Sequence, residues 1–396
     1  MDDHSLESLN AQEDQPSQVR SLRELIERVT GRDRSAPLPE EDAGLIAHTP
    51  YPFLALVGQI EMKLALLLGL INSAIGGVLL IGPRGTGKTT AVRSLVGLLP
   101  QVPRSLCFYG CMPEDVEIGG MDAVCPECVK KYLSNQPIAV MDDVRLVELP
   151  LNARLEDVIG GAAEHINGHE APHIRKGLLA QADRNLLYID EVNLLADEVV
   201  DIILDAASQG SYAVRRGPVA ANFRSRFMLV GSMNPEEGSL RPQIMDRFGL
   251  RVLVSGLKEN PDRLEAYRRV KAYLTHPLAL INEYRLETEI AREEILAARE
   301  RLPKTDIPDE TAWIGLDLIN RLQIDSLRAE ITLFEAGRAY AALDGRTEVL
   351  PADLRIVAPM ALRMRRSAFI SKYFTEQGTE EEEIVNLINV VFSPPS

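Results

Sequence analysis

The chain has 396 residues, room for two or three domains, and its 26% charged and 45% hydrophobic content is that of an ordinary water-soluble globular protein. A net charge of -15 and a pI near 5.0 speak against nucleic acid as a partner, where a basic footprint is expected. Met1–Asn10 is polar and acidic and lacks a secretory pattern, so the four cysteines point to thiol or metal roles in a reducing compartment: cytoplasm, or stroma in a plastid-bearing host.

In chain order, residues 1–50 are acidic and poor in aromatics, and a disordered arm is expected there, with one short amphipathic helix over Ser21–Val29. Order is expected from Tyr51-Pro52-Phe53. A core helix over Gly58–Leu70 and a strand over Val78–Ile81 follow. Leu64–Ile81 is nearly all apolar, but Asn72, Ser73 and Gly76-Gly77 interrupt it, so a buried helix and strand explain it better than a membrane span. A helix is expected over Thr90–Leu99, ended by Pro100. Further strands are expected at Leu186–Ile189, Phe227–Ser232 and Leu250–Val254, with a helix over Asn193–Ala207. Apolar strands alternating with helices predict an α/β fold, a parallel sheet covered on both faces. From Asn260 the pattern turns helical and charged. The expected division is an arm at 1–50, an α/β domain at 51–259 and an all-α domain at 260–396. Glu380–Glu383 reads as a solvated helix face.

Between the first strand and its helix stands Gly82-Pro83-Arg84-Gly85-Thr86-Gly87-Lys88-Thr89, which matches G-x-x-x-x-G-K-[ST]. Strand, glycine loop and helix are the context that a phosphate cradle requires. The glycines let backbone N–H groups converge, and the helix start adds a positive dipole end. Lys88 would reach the β- and γ-phosphates of a nucleoside triphosphate, and Thr89 would hold Mg²⁺; Thr90 lies on the same turn. Asp190-Glu191 closes an apolar strand. Asp190 would hold Mg²⁺ through water and Glu191 would polarise the attacking water, although an acidic helix cap is also sensible. Asn234, after the next strand, can orient that water. Arg241 and Arg247 lie beyond the sheet edge, where an arginine can reach a neighbouring subunit's nucleotide; alone, such arginines are usually ion-pair members. A helix over Leu327–Asp344, capped by Asp325 or Ser326, would bury Leu327, Ile331 and Phe334. Arg328, about 100° round, is left free for a ligand.

These motifs resemble those of the AAA+ ATPases, and among them the small ATPase subunit of magnesium chelatase. Tyr51-Pro52-Phe53 to Gly58-Gln59, Gly82–Thr89 with Arg93-Ser94-Leu95, Glu148-Leu149-Pro150-Leu151-Asn152-Ala153 and Gly177-Leu178-Leu179 carry the likeness. So do Tyr188–Leu195, Gly231–Phe248, and Arg328 with Glu330 and Thr332. The resemblance implies an AAA+ P-loop domain with a C-terminal helical lid. Lys88 and Thr89 would be the Walker A pair, Asp190 and Glu191 the Walker B pair, Asn234 a sensor, Arg247 the finger and Arg328 the lid sensor. It further implies a homo-oligomeric ring, a hexamer with ATP at each interface. A larger ATPase-like subunit with an integrin-type metal-binding domain and a porphyrin-binding subunit would be partners in inserting Mg²⁺ into protoporphyrin IX, the step towards (bacterio)chlorophyll. A general AAA+ remodeller, including a cobalt-inserting one, is the alternative.

A long stretch separates Lys88 from Asp190. It holds Cys107-x₃-Cys111 and Cys125-x₂-Cys128, in an insertion over about residues 101–150. Four thiolates make a closed tetrahedral Zn²⁺ site; four free thiols are the alternative. His165, His169 and His173 have ligand-like spacing, but Gly168 and Pro172 break a shared helical face, and a polar loop is favoured. Residues 145–176 fall where the resembled family has hairpin insertions facing the pore or a partner.

Overall fold

The computed structural model describes residues 50–161, 175–216 and 219–366. The arm short of Pro50, its short helix, the three histidines and the Glu380–Glu383 run lie outside them. Helix α1 (Ile60–Ile71) is the expected core helix. Gln59 precedes it in a left-handed conformation and donates its side-chain amide to Ser255 O at 2.6 Å. Strand β1 (Val78–Ile81) leads through the glycine loop to α2 (Lys88–Ser94). That helix differs from the expected Thr90–Leu99. It starts earlier, and after Ser94 it tightens into a 3-10 turn, Leu95–Leu98. Ser94 Oγ bonds Ala91 O at 2.7 Å, a local bond that competes with the helical ladder.

A lobe follows, made of β2 (Val102–Ser105), α3 (Pro113–Gly119), α4 (Pro126–Leu133) and β3 (Ala139–Asp142). Its two strands pair antiparallel, apart from the main sheet. Strand β4 (Leu146–Leu149), short α5 (Leu155–Ile159) and α6 (Leu178–Gln181) precede β5 (Leu186–Ile189). The helix expected from Asn193 is broken: a 3-10 turn, Val192–Leu194, comes first, and α7 (Asp197–Gln209) starts only after extended Leu195. Asp197 and Glu198 then stand in its first turn, where the helix dipole favours acids. A hairpin of β6 (Ser211–Arg216) and β7 (Val219–Arg224) follows, then β8 (Met228–Met233), α8 (Pro242–Arg247) and β9 (Leu250–Leu253).

The main sheet runs β4-β5-β8-β1-β9, and every pair in it is parallel. Strand alternation sends Val78, Leu80, Leu186, Tyr188 and Val230 into one core, with α1 and α2. Leu79, Ile81, Leu187, Ile189 and Leu229 enter a second core, with α6 and α7. A sheet buried on both faces needs continuous apolar strands, and β1 and β5 are buried at all four positions. At the sheet edge, Arg93 near the end of α2 grips Glu148 of β4 with two bonds, 2.6 and 3.0 Å.

Beyond β9 the described residues form helices: α9 (Asn260–Thr275), α10 (Pro277–Glu283), α11 (Arg285–Arg301), α12 (Asp309–Arg321), α13 (Leu327–Leu343) and α14 (Pro351–Leu362). They share the first core: Ile295, Ala329, Leu333 and Ala336 join Leu66 and Leu80. Arg299 donates twice to Leu70 O, at 2.9 and 2.7 Å, and Asn72 reaches Glu335 at 2.6 Å. The stripe expected on α13 is corrected. Leu327 is 74% and Ile331 54% exposed, Phe334 packs half-buried against the core, and Ala329, Thr332, Leu333, Ala336 and Gly337 are buried. Small residues win that face because α14 comes too close for large ones: a Cβ on Gly337 would stand 2.8 Å from Leu354. No helix of the described residues is long and apolar enough to cross a membrane.

Candidate nucleotide-binding site

The loop between β1 and α2 is shaped by two different demands. At Gly82 the demand is space, since a Cβ would stand 1.9 Å from Val254 O. At Gly85 and Gly87 it is backbone, with φ of 77° and 86° and open surroundings. Left-handed turns of this kind aim successive N–H groups to one side and form an anion nest. Lys88 Nζ lies buried within the loop, donating to Gly82 O at 2.6 Å and Pro83 O at 2.8 Å. Burial pushes its pKa down, against the pull of Asp190, Glu191 and Glu237.

The ends of β5 and β8 carry the acidic side. Asp190 accepts from Thr89 Oγ1 at 3.3 Å, from Tyr188 OH at 2.9 Å and from Ser232 Oγ. Parallel register explains Ser232: Ile189 faces Gly231, so the next residue on each strand meets its neighbour. Ser232 also accepts the Glu191 N–H at 3.1 Å and so holds both acids. Glu191 sits in the left-handed region at φ 51°. Arg84 bridges it to Glu237, at 3.0 and 2.5 Å, from a largely exposed position. Buried Asn234 caps the next turn through Glu236 N at 3.3 Å.

Arg84 to Thr90, Asp190, Glu191, Ser232 and Asn234 line one cleft of about 280 Å³. Thr89 and Asp190 offer hard oxygen donors side by side, which fits Mg²⁺. An adjoining pocket of about 500 Å³ shares Gly85, Thr86, Gly87 and Thr90, and is walled by Tyr51, Val57, Met62, Leu257, Arg263 and Val270. Its mainly apolar walls suit a flat base and ribose. Sequence reasoning did not assign this half a role, although the stretch Tyr51 to Gln59 that carries the family likeness supplies part of its wall. It also missed Tyr188 and Ser232 as partners of Asp190. A larger groove of about 760 Å³ lies between α12 and α14, away from the phosphate loop and the paired acids.

Arg247 and Arg328 are not among the residues that line the cleft or its neighbour. Arg247 pairs with Asp205 of α7 at 2.9 Å, and Arg241 with Asp197 at 2.9 Å. Arg328 meets Asp246 at 3.4 Å, the residue next to Arg247, so the two arginines share one region. Asp246 is also held by Arg365 at 2.8 Å and by wholly buried Arg251 at 3.3 Å. Burial first, and the Arg365 charge second, bring the Arg251 pKa down to about 10. None of Asp246, Arg251 and Arg365 stood out in the sequence.

Family models match twice: an AAA domain of the dynein-related subfamily over residues 77–248 and an AAA lid domain over 317–387. A magnesium-chelatase subunit ChlI homolog from Methanocaldococcus jannaschii is 40% identical, over 84% of this chain and 90% of its own length. The magnesium-chelatase 38 kDa subunit of Rhodobacter capsulatus is 41% identical, over 84% and 93%. A solved structure from Cytophaga hutchinsonii, 21% identical, covers 79% of this chain and 84% of its own with a TM-score of 0.52, and so supports the fold. With the phosphate loop, the paired acids and these relatives in agreement, the chain belongs to the magnesium-chelatase family of AAA+ ATPase subunits.

Proposed function

We propose that this chain is the ATP-hydrolysing motor of a magnesium chelatase, driving insertion of Mg²⁺ into protoporphyrin IX. The observation that carries the reading is the shared fixing of Asp190 and Glu191 by Ser232, opposite Lys88 and Thr89 in one cleft. The loop N–H groups and Lys88 bind the triphosphate, and the adjoining pocket takes the base. Thr89 and Asp190 would hold a Mg²⁺ ion, which would supply positive charge beside the phosphates. Glu191, released from Arg84, polarises the water that attacks the γ-phosphate, and Asn234 orients that water.

Arg247, which does not line the cleft of its own chain, serves the nucleotide of a neighbouring copy as its finger, and Arg328 acts as the lid sensor. That requirement supports a ring, here a hexamer. The larger chelatase subunit with its integrin-type domain and the porphyrin-binding subunit complete the machine, in cytoplasm or stroma. Mg²⁺ as cargo enters the porphyrin on that last subunit. A Zn²⁺ ion at the cysteine quartet would stand apart from this chemistry.

The test mixes this chain with the other two chelatase subunits, ATP, Mg²⁺ and protoporphyrin IX, and follows absorbance. Product that needs this chain and vanishes with Lys88→Ala supports the reading. ATP hydrolysis without product, while a known motor subunit works in its place, overturns it in favour of a remodeller with another partner.

A further inference from the structure

The lobe between β2 and β3 has too little core to hold itself. Its buried cluster is Cys107, Cys111, Val124, Cys128 and Ile138, so three of its five members are cysteines. A unit this small needs a staple. The sulfurs of Cys107, Cys111, Cys125 and Cys128 all lie within 4.8 Å of one another, and all four are free thiols. Around a tetrahedral ion with Zn–S bonds of about 2.3 Å, sulfurs sit about 3.8 Å apart, so a small contraction closes the shell.

The surroundings are those of metal-bound thiolates. Cys111 N–H donates to Cys107 Sγ at 3.2 Å, Cys125 N–H to Cys111 Sγ at 3.3 Å, and Ser105 Oγ to Cys107 Sγ at 3.6 Å. Such donors spread thiolate charge and fix the direction of each sulfur. Cys125 caps α4, Pro126 opens it, and Cys128 follows on its first turn, which brings the second pair together.

The lobe also docks on the rest of the chain. Asp115 pairs with Arg224 of β7, Glu114 with Arg184 at 3.1 Å, and the Phe108 ring meets Phe223 edge-on at 5.9 Å. Phe108, Glu114 and Asp115 all lie in the loop that the cysteines close.

We propose that the four cysteines hold one structural Zn²⁺, and that this ion fastens the lobe onto the β6–β7 hairpin. Binding converts four thiols to thiolates with release of their protons, and leaves a site of net charge -2. Lys176, whose ammonium stands 5.0 Å from the Phe108 ring centroid, supplies a nearby positive charge. Four protein sulfurs fill a tetrahedral shell, so no position is open for a reacting water and the role is structural.

The full chain, purified without chelators or metal-affinity resin, should contain about one zinc per chain by mass spectrometry of the elements. Cys128→Ser should lose it. Loss of a buried cysteine can itself unfold the lobe, so the unaltered chain is also stripped with a chelator and refilled with Co²⁺. Thiolate-to-cobalt charge-transfer bands and the visible bands of a tetrahedral site are then expected. Zinc removal should speed hydrogen exchange across residues 102–142 and in β7. A chain that carries no metal and takes up no cobalt, or that holds iron or two disulfides instead, overturns the site. Unchanged exchange in β7 overturns the fastening.

Discussion

In the cleft, Lys88 is held by the carbonyls of Gly82 and Pro83, Asp190 by Thr89, Tyr188 and Ser232, and the Glu191 backbone by Ser232. Arg247 and Arg328 are instead held by Asp205 and Asp246, which do not line the cleft. The first group is tied to backbone of the loop and of the neighbouring strands β5 and β8. The second rests on partly exposed ion pairs, worth about 1 kcal/mol or less each, which a better anion can displace. A cleft built in advance and arginines that can be redirected are what a site shared between subunits requires.

The comparison breaks first at Lys88. Lys88→Ala should abolish ATP binding by calorimetry, and retained tight binding would refute the loop's assignment. Arg247→Ala should keep ATP affinity and lose hydrolysis by about 10³-fold or more. Adding Lys88→Ala subunits, which carry an intact arginine, should restore part of the rate; without rescue the arginine does not act between chains. Glu191→Gln should still bind ATP while turnover falls about 10²–10³-fold, and normal turnover would remove it from the mechanism. Ser232→Ala takes one donor from Asp190 and one acceptor from Glu191. About a tenfold loss of Mg²⁺-dependent turnover is expected, from the 1.5 kcal/mol or so typical of a bond to a charged group. Arg84→Ala should leave the melting temperature nearly unchanged, since its pairs are surface pairs; a large drop would mean that they hold the cleft shut.

The α/β sheet was legible where strands are buried on both faces. Val78–Ile81 and Leu186–Ile189 announce themselves as unbroken apolar runs, while Leu250–Leu253 was readable despite Arg251 in its middle. The hairpin β6–β7 was not, because its arginines and alternating exposure mimic a polar connection. Helix α13 misled by size. Leu327 and Ile331 drew attention while the alanine face was the one that packed, a choice set by α14 and invisible to periodicity alone. In the site, residues bound to a motif were readable, whereas Ser232 and Asp246 act through register and tertiary contact. The cysteine quartet was readable as spacing, but only the fold shows the four sulfurs converging.

The grip of Arg93 on Glu148 gives α2 a second anchor. Its first turn belongs to the phosphates and its last to the sheet's outermost strand. The helix so joins the phosphate loop to β4, and a shift of Lys88 is expected to reach Glu148 through it. Arg93→Ala, which removes that outer anchor, is expected to free β4 from α2 while leaving the bonds around Lys88 and Asp190 in place.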